Sequence, residues 1–318
     1  MGAPHPQVVA VLERVARSPL PLYHTLPPFV ARRIYRDTRA VLAPPTPEVA
    51  ESKLMLAPGS ATAVMMRAYR PKGVAKDEIL PALVYFHGGG FVIGDPDTHD
   101  VLCRQIANGA RCAVFSVDYR LAPEDRFPAA VDDCVAATRY VSSHAKELLV
   151  DPRRIAVGGD SAGGNLAAVV SIIARDAGAP KICFQLLIYP ATDLRVVHPS
   201  HQRNGEGYLL TKHTIKYFMD HYFQRAEDRA DWRASPLLAK NLAGLPPAFI
   251  LTAGFDPLVD EGKEYAERLA KEGNEIAYRE YSDMVHGFIT FGGVVDTANE
   301  AVAECCAKLR NAFELVTA

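Results

Sequence analysis

The chain has little that would mark it for nucleic acid, metal or membrane. Its formal net charge is only −2 over 318 residues, so there is no basic field to draw a polyanion or an anionic lipid surface. No Walker loop, zinc-finger spacing or dinucleotide fingerprint occurs, so no metal or organic cofactor is expected. No run is apolar for long enough to span a bilayer. No basic start leads into an apolar stretch of the kind that directs secretion, and Pro6 breaks the myristoylation pattern that Met1-Gly2 would open. Cysteine is sparse: six residues at 103, 112, 134, 183, 305 and 306, without a Cys-x-x-Cys pair. Buried free thiols in a reducing cytoplasm are the expectation. Cys305 and Cys306 are neighbours on a helix and face different ways, which argues against a bridge between them. Apolar residues make up 49% and charged residues 23%, as in a globular enzyme of one α/β domain plus an insertion or cap.

Alternating patterns organise the chain. Strand-like runs at 53–56 and 63–69 precede a regular succession at 82–87, 112–117, 154–158, 182–189, 247–253 and 275–281, with helical patterns between. That rhythm predicts an α/β fold with a mostly parallel eight-stranded sheet and helices on both faces. Before it, Val8, Val9, Leu12 and Val15 recur near helical spacing, and Pro19, Pro21, Pro27 and Pro28 break the helices that follow. Pro44-Pro45-Thr46-Pro47 reads as a linker. The rhythm stops between Tyr189 and Pro246, where a polar loop at 195–207 leads to an aromatic-rich helix at 211–223. The segments expected are therefore 1–47, a first core part at 48–190, an insertion at 191–246 and a second core part at 247–318.

Gly159-Asp160-Ser161-Ala162-Gly163 follows one of these strands and opens a helix. A serine framed by glycines at a strand-to-helix turn reads as a nucleophile elbow, because the strained turn leaves no room for side chains two positions either side. A second glycine loop, His87-Gly88-Gly89-Gly90, follows the strand at 82–87. Acyl transfer builds an oxyanion that needs preorganised N–H donors, and consecutive glycines let the backbone turn such donors into a cavity. Gly88 and Gly89 are the donors expected from this loop, with Ala162 from the elbow.

A serine becomes nucleophilic when a histidine takes its proton and an acid orients that histidine. Asp256 lies just past the strand at 247–253, and Pro257 can start the next helix. His286 follows the strand at 275–281. Both stand where acid and base belong in chain order. Asp193, after the strand at 182–189, is the rival acid, with Asp260 and Asp283 behind it. His87 suits loop shaping better than proton transfer, and His99, His213 and His221 fall on predicted helices with no chemical role expected. Asp118, Arg120 and Glu124 read as paired groups bracing a turn, with Asp160 as a candidate member of their network.

Taken together, His87-Gly88-Gly89-Gly90, Tyr119-Arg120-Leu121-Ala122-Pro123-Glu124, Gly159-Asp160-Ser161-Ala162-Gly163-Gly164, Asp256-Pro257-Leu258 and His286-Gly287-Phe288 resemble the hormone-sensitive-lipase family of α/β-hydrolases. The resemblance runs from about Leu80 to the C-terminus. It implies an α/β-hydrolase fold, with Ser161 as nucleophile, Asp256 as acid, His286 as base, and an oxyanion hole at Gly88, Gly89 and Ala162. It implies a helical cap built from the N-terminal segment and the insertion. It further implies a serine carboxylesterase acting on small esters of short to medium acyl chain, and a homodimer paired through the edge strand at 275–281. An amidase, peptidase or lactonase with the same triad, or a ligand receptor on the same scaffold, are the alternatives the motifs leave open.

Overall fold

Phe86, Asp160, Phe255 and Val285 each close a strand of one sheet, and because these strands run parallel their ends lie along one edge. The computed structural model describes residues 2–59 and 61–316, so the outer limits of the first and last expected segments, Met1 and Ala318, fall outside it. The helices are α1 (Pro6–Ala16), α2 (Pro28–Leu42), α3 (Asp100–Ala110), α4 (Ala129–Ser143), α5 (Ala162–Ala177), α6 (Ser200–Arg203), α7 (Lys212–Tyr222), α8 (Val259–Lys271) and α9 (Asp296–Leu315). The strands are β1 (Glu51–Ala57), β2 (Val64–Arg70), β3 (Leu80–Phe86), β4 (Ala113–Asp118), β5 (Val150–Asp160), β6 (Phe184–Ile188), β7 (Ala248–Phe255) and β8 (Ile276–Val285). They form one eight-stranded sheet in the order β1-β2-β4-β3-β5-β6-β7-β8. β2 is antiparallel to both neighbours and every other pairing is parallel, as the strand–helix rhythm predicts.

The strand sequences explain the layering. β3 is buried at every position, as a central parallel strand covered on both faces must be. Successive side chains alternate between two cores. Ala82, Val84 and Phe86 belong to one core with residues of α4, α5 and α8, whereas Leu83 and Tyr85 belong to a second with residues of α3 and α9. At the edge, Tyr278, Arg279 and Glu280 of β8 are exposed.

Proline at N1 starts both α1 and α2, where its missing N–H would be unpaired anyway. The buried face of α1 is Val8 and Val11, while Val9 and Val15 of the expected stripe are exposed at 38% and 47%. Spacing alone did not separate these two faces.

Chain order places the crevice. From β3 the sheet grows through β4 on one side and β5 on the other, so the ends of β3 and β5 flank a switch point where ligands collect. The glycine loop leaves β3 there, and Ser161 leaves β5. The edge strand runs past its expected end at Tyr281 to Val285, because a register shift after Ala253 lets Phe255 pair with Val285. That extension sets His286 beside the end of β7.

Candidate active site

Ser161 sits between β5 and α5 with φ 57° and ψ −117°, a conformation that L residues rarely adopt. Its N–H donates to the Ile188 carbonyl at 2.8 Å, which holds the turn to the neighbouring strand. A Cβ on Gly159 would strike the Phe86 carbonyl and the Gly163 backbone, and one on Gly163 would strike the same Phe86 carbonyl. Only glycine fits at either position. The turn therefore presents the serine at the N-terminus of α5, where the helix dipole favours negative charge.

Three expected residues, far apart in sequence, meet here. The Ser161 hydroxyl donates to His286 Nε2 at 2.8 Å, and His286 Nδ1 donates to Asp256 Oδ2 at 2.6 Å. Asp256 is fully buried, and its other oxygen accepts the Leu258 N–H at 2.8 Å. The Asn204 side-chain amide donates to the Asp256 and Gly254 carbonyls at 2.9 and 3.0 Å, fixing the end of β7. The Tyr189 ring, its centroid 4.7 Å from that of His286, tilts over the imidazole. Such a chain can move one proton from the serine while the buried carboxylate stabilises the imidazolium.

The rival acids are engaged elsewhere. Burial opposes ionisation of Asp193, but Arg195 at 2.7 Å and His198 at 3.2 Å hold its carboxyl well below the usual range. Asp260 pairs with Arg203 at 2.7 Å. Asp283 has no hydrogen bond to His286, whose carboxylate partner is Asp256.

The glycine loop departs from expectation at one donor. The Gly88 N–H donates to Asp160 Oδ1 at 3.0 Å, and Gly88 does not line the cavity, so Gly88 is not free to bind an oxyanion. Gly89 and Gly90 line the cavity with Ser161 and Ala162, and their N–H groups have no hydrogen-bond partner among the described residues. Gly90 has φ 61°, and a Cβ there would run into the Phe218 ring. The sequence pattern does not say which two of three consecutive glycines face inward.

Asp160 anchors this loop in place of the expected network. Its Oδ1 also accepts from the Tyr85 hydroxyl at 2.7 Å and lies 3.1 Å from His99 Nε2. Burial alone would raise the Asp160 carboxyl, yet His99 and Tyr85 outweigh it and hold the group well below the usual carboxylate range. Burial pushes the His87 imidazole down to about 4, with His99 adding to the effect. His87 is thus neutral, stacked on Tyr119 at 4.3 Å, with Nδ1 2.9 Å from the Gly88 carbonyl. His99 therefore has a place in the site that its helical pattern did not signal. Arg120 instead pairs with Asp133 at 2.8 Å and Glu124 with Arg32 at 2.6 Å. Burial raises Asp118 to about 6, and none of these three touches Asp160.

Above the serine lies a cavity of about 350 Å³. Val11, Tyr35 and Arg39 enter from α1 and α2, and Ile215, Phe218 and Met219 from α7. Tyr217 joins these two groups by donating its hydroxyl to the Leu26 carbonyl at 3.1 Å. Tyr222 instead stacks on Phe91 at 4.0 Å within the core. Among the described residues no cluster of three His, Cys, Asp or Glu could hold a metal ion, and no helix is long and apolar enough to cross a membrane.

With this geometry in hand, the likeness to known proteins is specific. A family model described as alpha/beta hydrolase fold matches residues 83–290. The carboxylic ester hydrolase LipN of Mycobacterium tuberculosis is 45% identical over 262 residues, which are 79% of this chain and 69% of that protein. An ethyl acetate hydrolase of Pseudomonas putida is 37% identical over 94% of this chain and 96% of its own length. An alpha/beta hydrolase enzyme from the metagenome of Lake Arreo, solved as a serine-to-alanine mutant, superposes with TM-score 0.95 at 42% identity, covering 99% of this chain and 100% of that one. A hyperthermophilic esterase from the archaeon Pyrobaculum calidifontis gives TM-score 0.91 at 37% identity over 98% of this chain and 99% of that one.

Proposed function

We propose a mechanism from one premise: the chain belongs to the alpha/beta hydrolase fold family and is a carboxylesterase. His286 takes the Ser161 proton as the serine oxygen attacks the ester carbonyl. Asp256 keeps the imidazole in the right tautomer and offsets its charge. The N–H groups of Gly89, Gly90 and Ala162 bind the oxyanion. The C–O bond of the ester then breaks, and His286 returns the proton to the departing alcohol. Water, deprotonated by the same histidine, attacks the acyl-enzyme; the acyl–Ser161 bond breaks, the acid leaves and His286 returns the proton to the serine oxygen.

The observation that carries this reading is the pair of hydrogen bonds at 2.8 and 2.6 Å linking Ser161, His286 and Asp256 on a strained turn. Replacing Ser161 by alanine is expected to lower kcat by about 10⁴- to 10⁶-fold with the melting curve unchanged. Near-normal ester hydrolysis by that variant overturns the assignment.

In the same reading, residues 1–47 and 191–246 act as a cap over a core at 48–190 and 247–318. The lining from α1, α2 and α7 supports that division. The cavity, and a relative called ethyl acetate hydrolase, support short to medium acyl chains. The six unpaired cysteines suit a reducing compartment such as the cytoplasm. The open edge of β8 supports a homodimer formed by strand pairing, which light scattering would test.

A further inference from the structure

Four side chains lining the cavity over Ser161 are acids or arginine: Asp160, Asp193, Glu261 and Arg39. Each of the three acids has its own cationic or imidazole partner. Asp160 lies 3.1 Å from His99, Asp193 2.7 Å from Arg195, and Glu261 2.8 Å from His201. Arg39 is different. Among the described residues no carboxylate lies within ion-pair distance of it; its Nη1 donates to the Thr290 hydroxyl at 2.9 Å. Its guanidinium carbon sits 4.7 Å from the Tyr35 ring centroid and 4.9 Å from that of Phe291.

These neighbours hold the cation without neutralising it. Burial pushes the Tyr35 hydroxyl up to about 12 against the pull of the Arg39 charge, so no phenolate forms near neutral pH. Two aromatic faces attract a cation weakly and fix the plane of its fork. Arg39 also packs against Gly287, where an added Cβ would come within 3.1 Å of Nη2. The charge therefore stands one residue from His286, in a cavity whose lining is mostly apolar and whose three acids already have partners.

We propose that Arg39 is a specificity residue that receives a carboxylate carried by the substrate, so that this esterase favours esters bearing a second, ionised acid group. A guanidinium presents paired N–H donors matched to a carboxylate, and one that is half-buried and oriented by flanking rings loses little conformational freedom on binding it. The inference rests on Ser161 and His286 marking where the ester bond lies. The competing role for Arg39 is that of a strap tying α2 to the turn at Thr290, which would serve charged and neutral esters alike.

Two matched substrate pairs separate these roles and locate the anion. Monoethyl glutarate against ethyl pentanoate places the charge on the acyl side; 4-acetoxybutyrate against butyl acetate places it on the alcohol side. In Arg39→Met the ratio of kcat/KM, charged over neutral, is expected to fall about 10- to 100-fold for one pair, through the KM of the charged ester. Arg39→Lys should restore part of that ratio. An unchanged ratio in both pairs overturns the proposal, including when both substrates lose rate equally. Should Arg39→Met fold poorly, Arg39→Gln reads the same ratio. Calorimetry of monoethyl glutarate and 4-acetoxybutyrate with Ser161→Ala, with and without Arg39→Met, needs no turnover. Tighter binding of one of them by the protein that keeps Arg39 is expected, and equal binding contradicts it. Hydrolysis of either ester by Ser161→Ala would overturn the nucleophile and not the role of Arg39, which the kcat/KM ratios of the Arg39 variants read on their own.

Discussion

Asp160 Oδ1 accepts the Gly88 N–H at 3.0 Å, joining the residue before the serine to the first glycine of the opposite loop. The same carboxylate is held by Tyr85 and His99, so both walls of the proposed oxyanion site hang on one buried charge. Asp160→Asn keeps the shape but removes the charge opposite His99. It is expected to lower kcat about 10- to 100-fold, with a smaller change in KM, because displaced donors weaken transition-state binding more than ground-state binding. Steady-state kinetics beside a melting curve tests this. A variant that loses stability but keeps kcat would reduce Asp160 to a packing role.

The choice of acid can be measured in one assay. Asp256→Asn is expected to lower kcat about 10⁴-fold by allowing the wrong histidine tautomer. Asp193→Asn should instead lower the melting temperature, since Arg195 loses its carboxylate partner and His198 keeps only the longer contact to Glu264 at 3.6 Å. A greater loss of kcat from Asp193→Asn reverses the assignment.

The chemistry at strand ends was legible because steric demands there leave few residue choices. Gly159 and Gly163 have no room for a side chain, Asp256 follows a strand whose apolar run is plain in the sequence, and His286 follows one marked by alternation. The inward-facing glycines were not legible. Gly88, Gly89 and Gly90 are identical in sequence, and only the placement of Asp160 tells them apart. His99 was passed over because a helix N-terminus twelve residues beyond His87 shows no pattern linking it to the serine. Arg39 lies before the motif-bearing region, on a helix whose long-range contacts no periodicity reports.

Acid should weaken the fold through His87. Its imidazole is held neutral in the native state down to about 4, whereas an unfolded histidine takes a proton near 6.5. Between those values the unfolded chain binds more protons, so stability falls as pH drops through this window, by about 2 kcal/mol between pH 7 and pH 5. Urea unfolding at pH 7 and pH 5 measures the drop, and His87→Gln should lack that component. Equal pH dependence in both proteins would assign the loss to other groups.

The cavity bounds the acyl chain. Phe218 lines a cavity of about 350 Å³ and stands against Gly90, so p-nitrophenyl butyrate and hexanoate are expected to turn over faster than the palmitate ester. Phe218→Ala should shift the optimum toward longer chains. A wild-type preference for palmitate or emulsified triacylglycerol contradicts this reading of the pocket.

The most direct test of the central claim is covalent capture of the nucleophile. A serine-reactive phosphonate added to the folded enzyme, followed by peptide mass mapping, should place a single adduct on Ser161 in step with loss of esterase activity, and Ser161→Ala should take up none. An adduct on another residue that tracks inactivation, or full activity after Ser161 has been modified, would contradict the account.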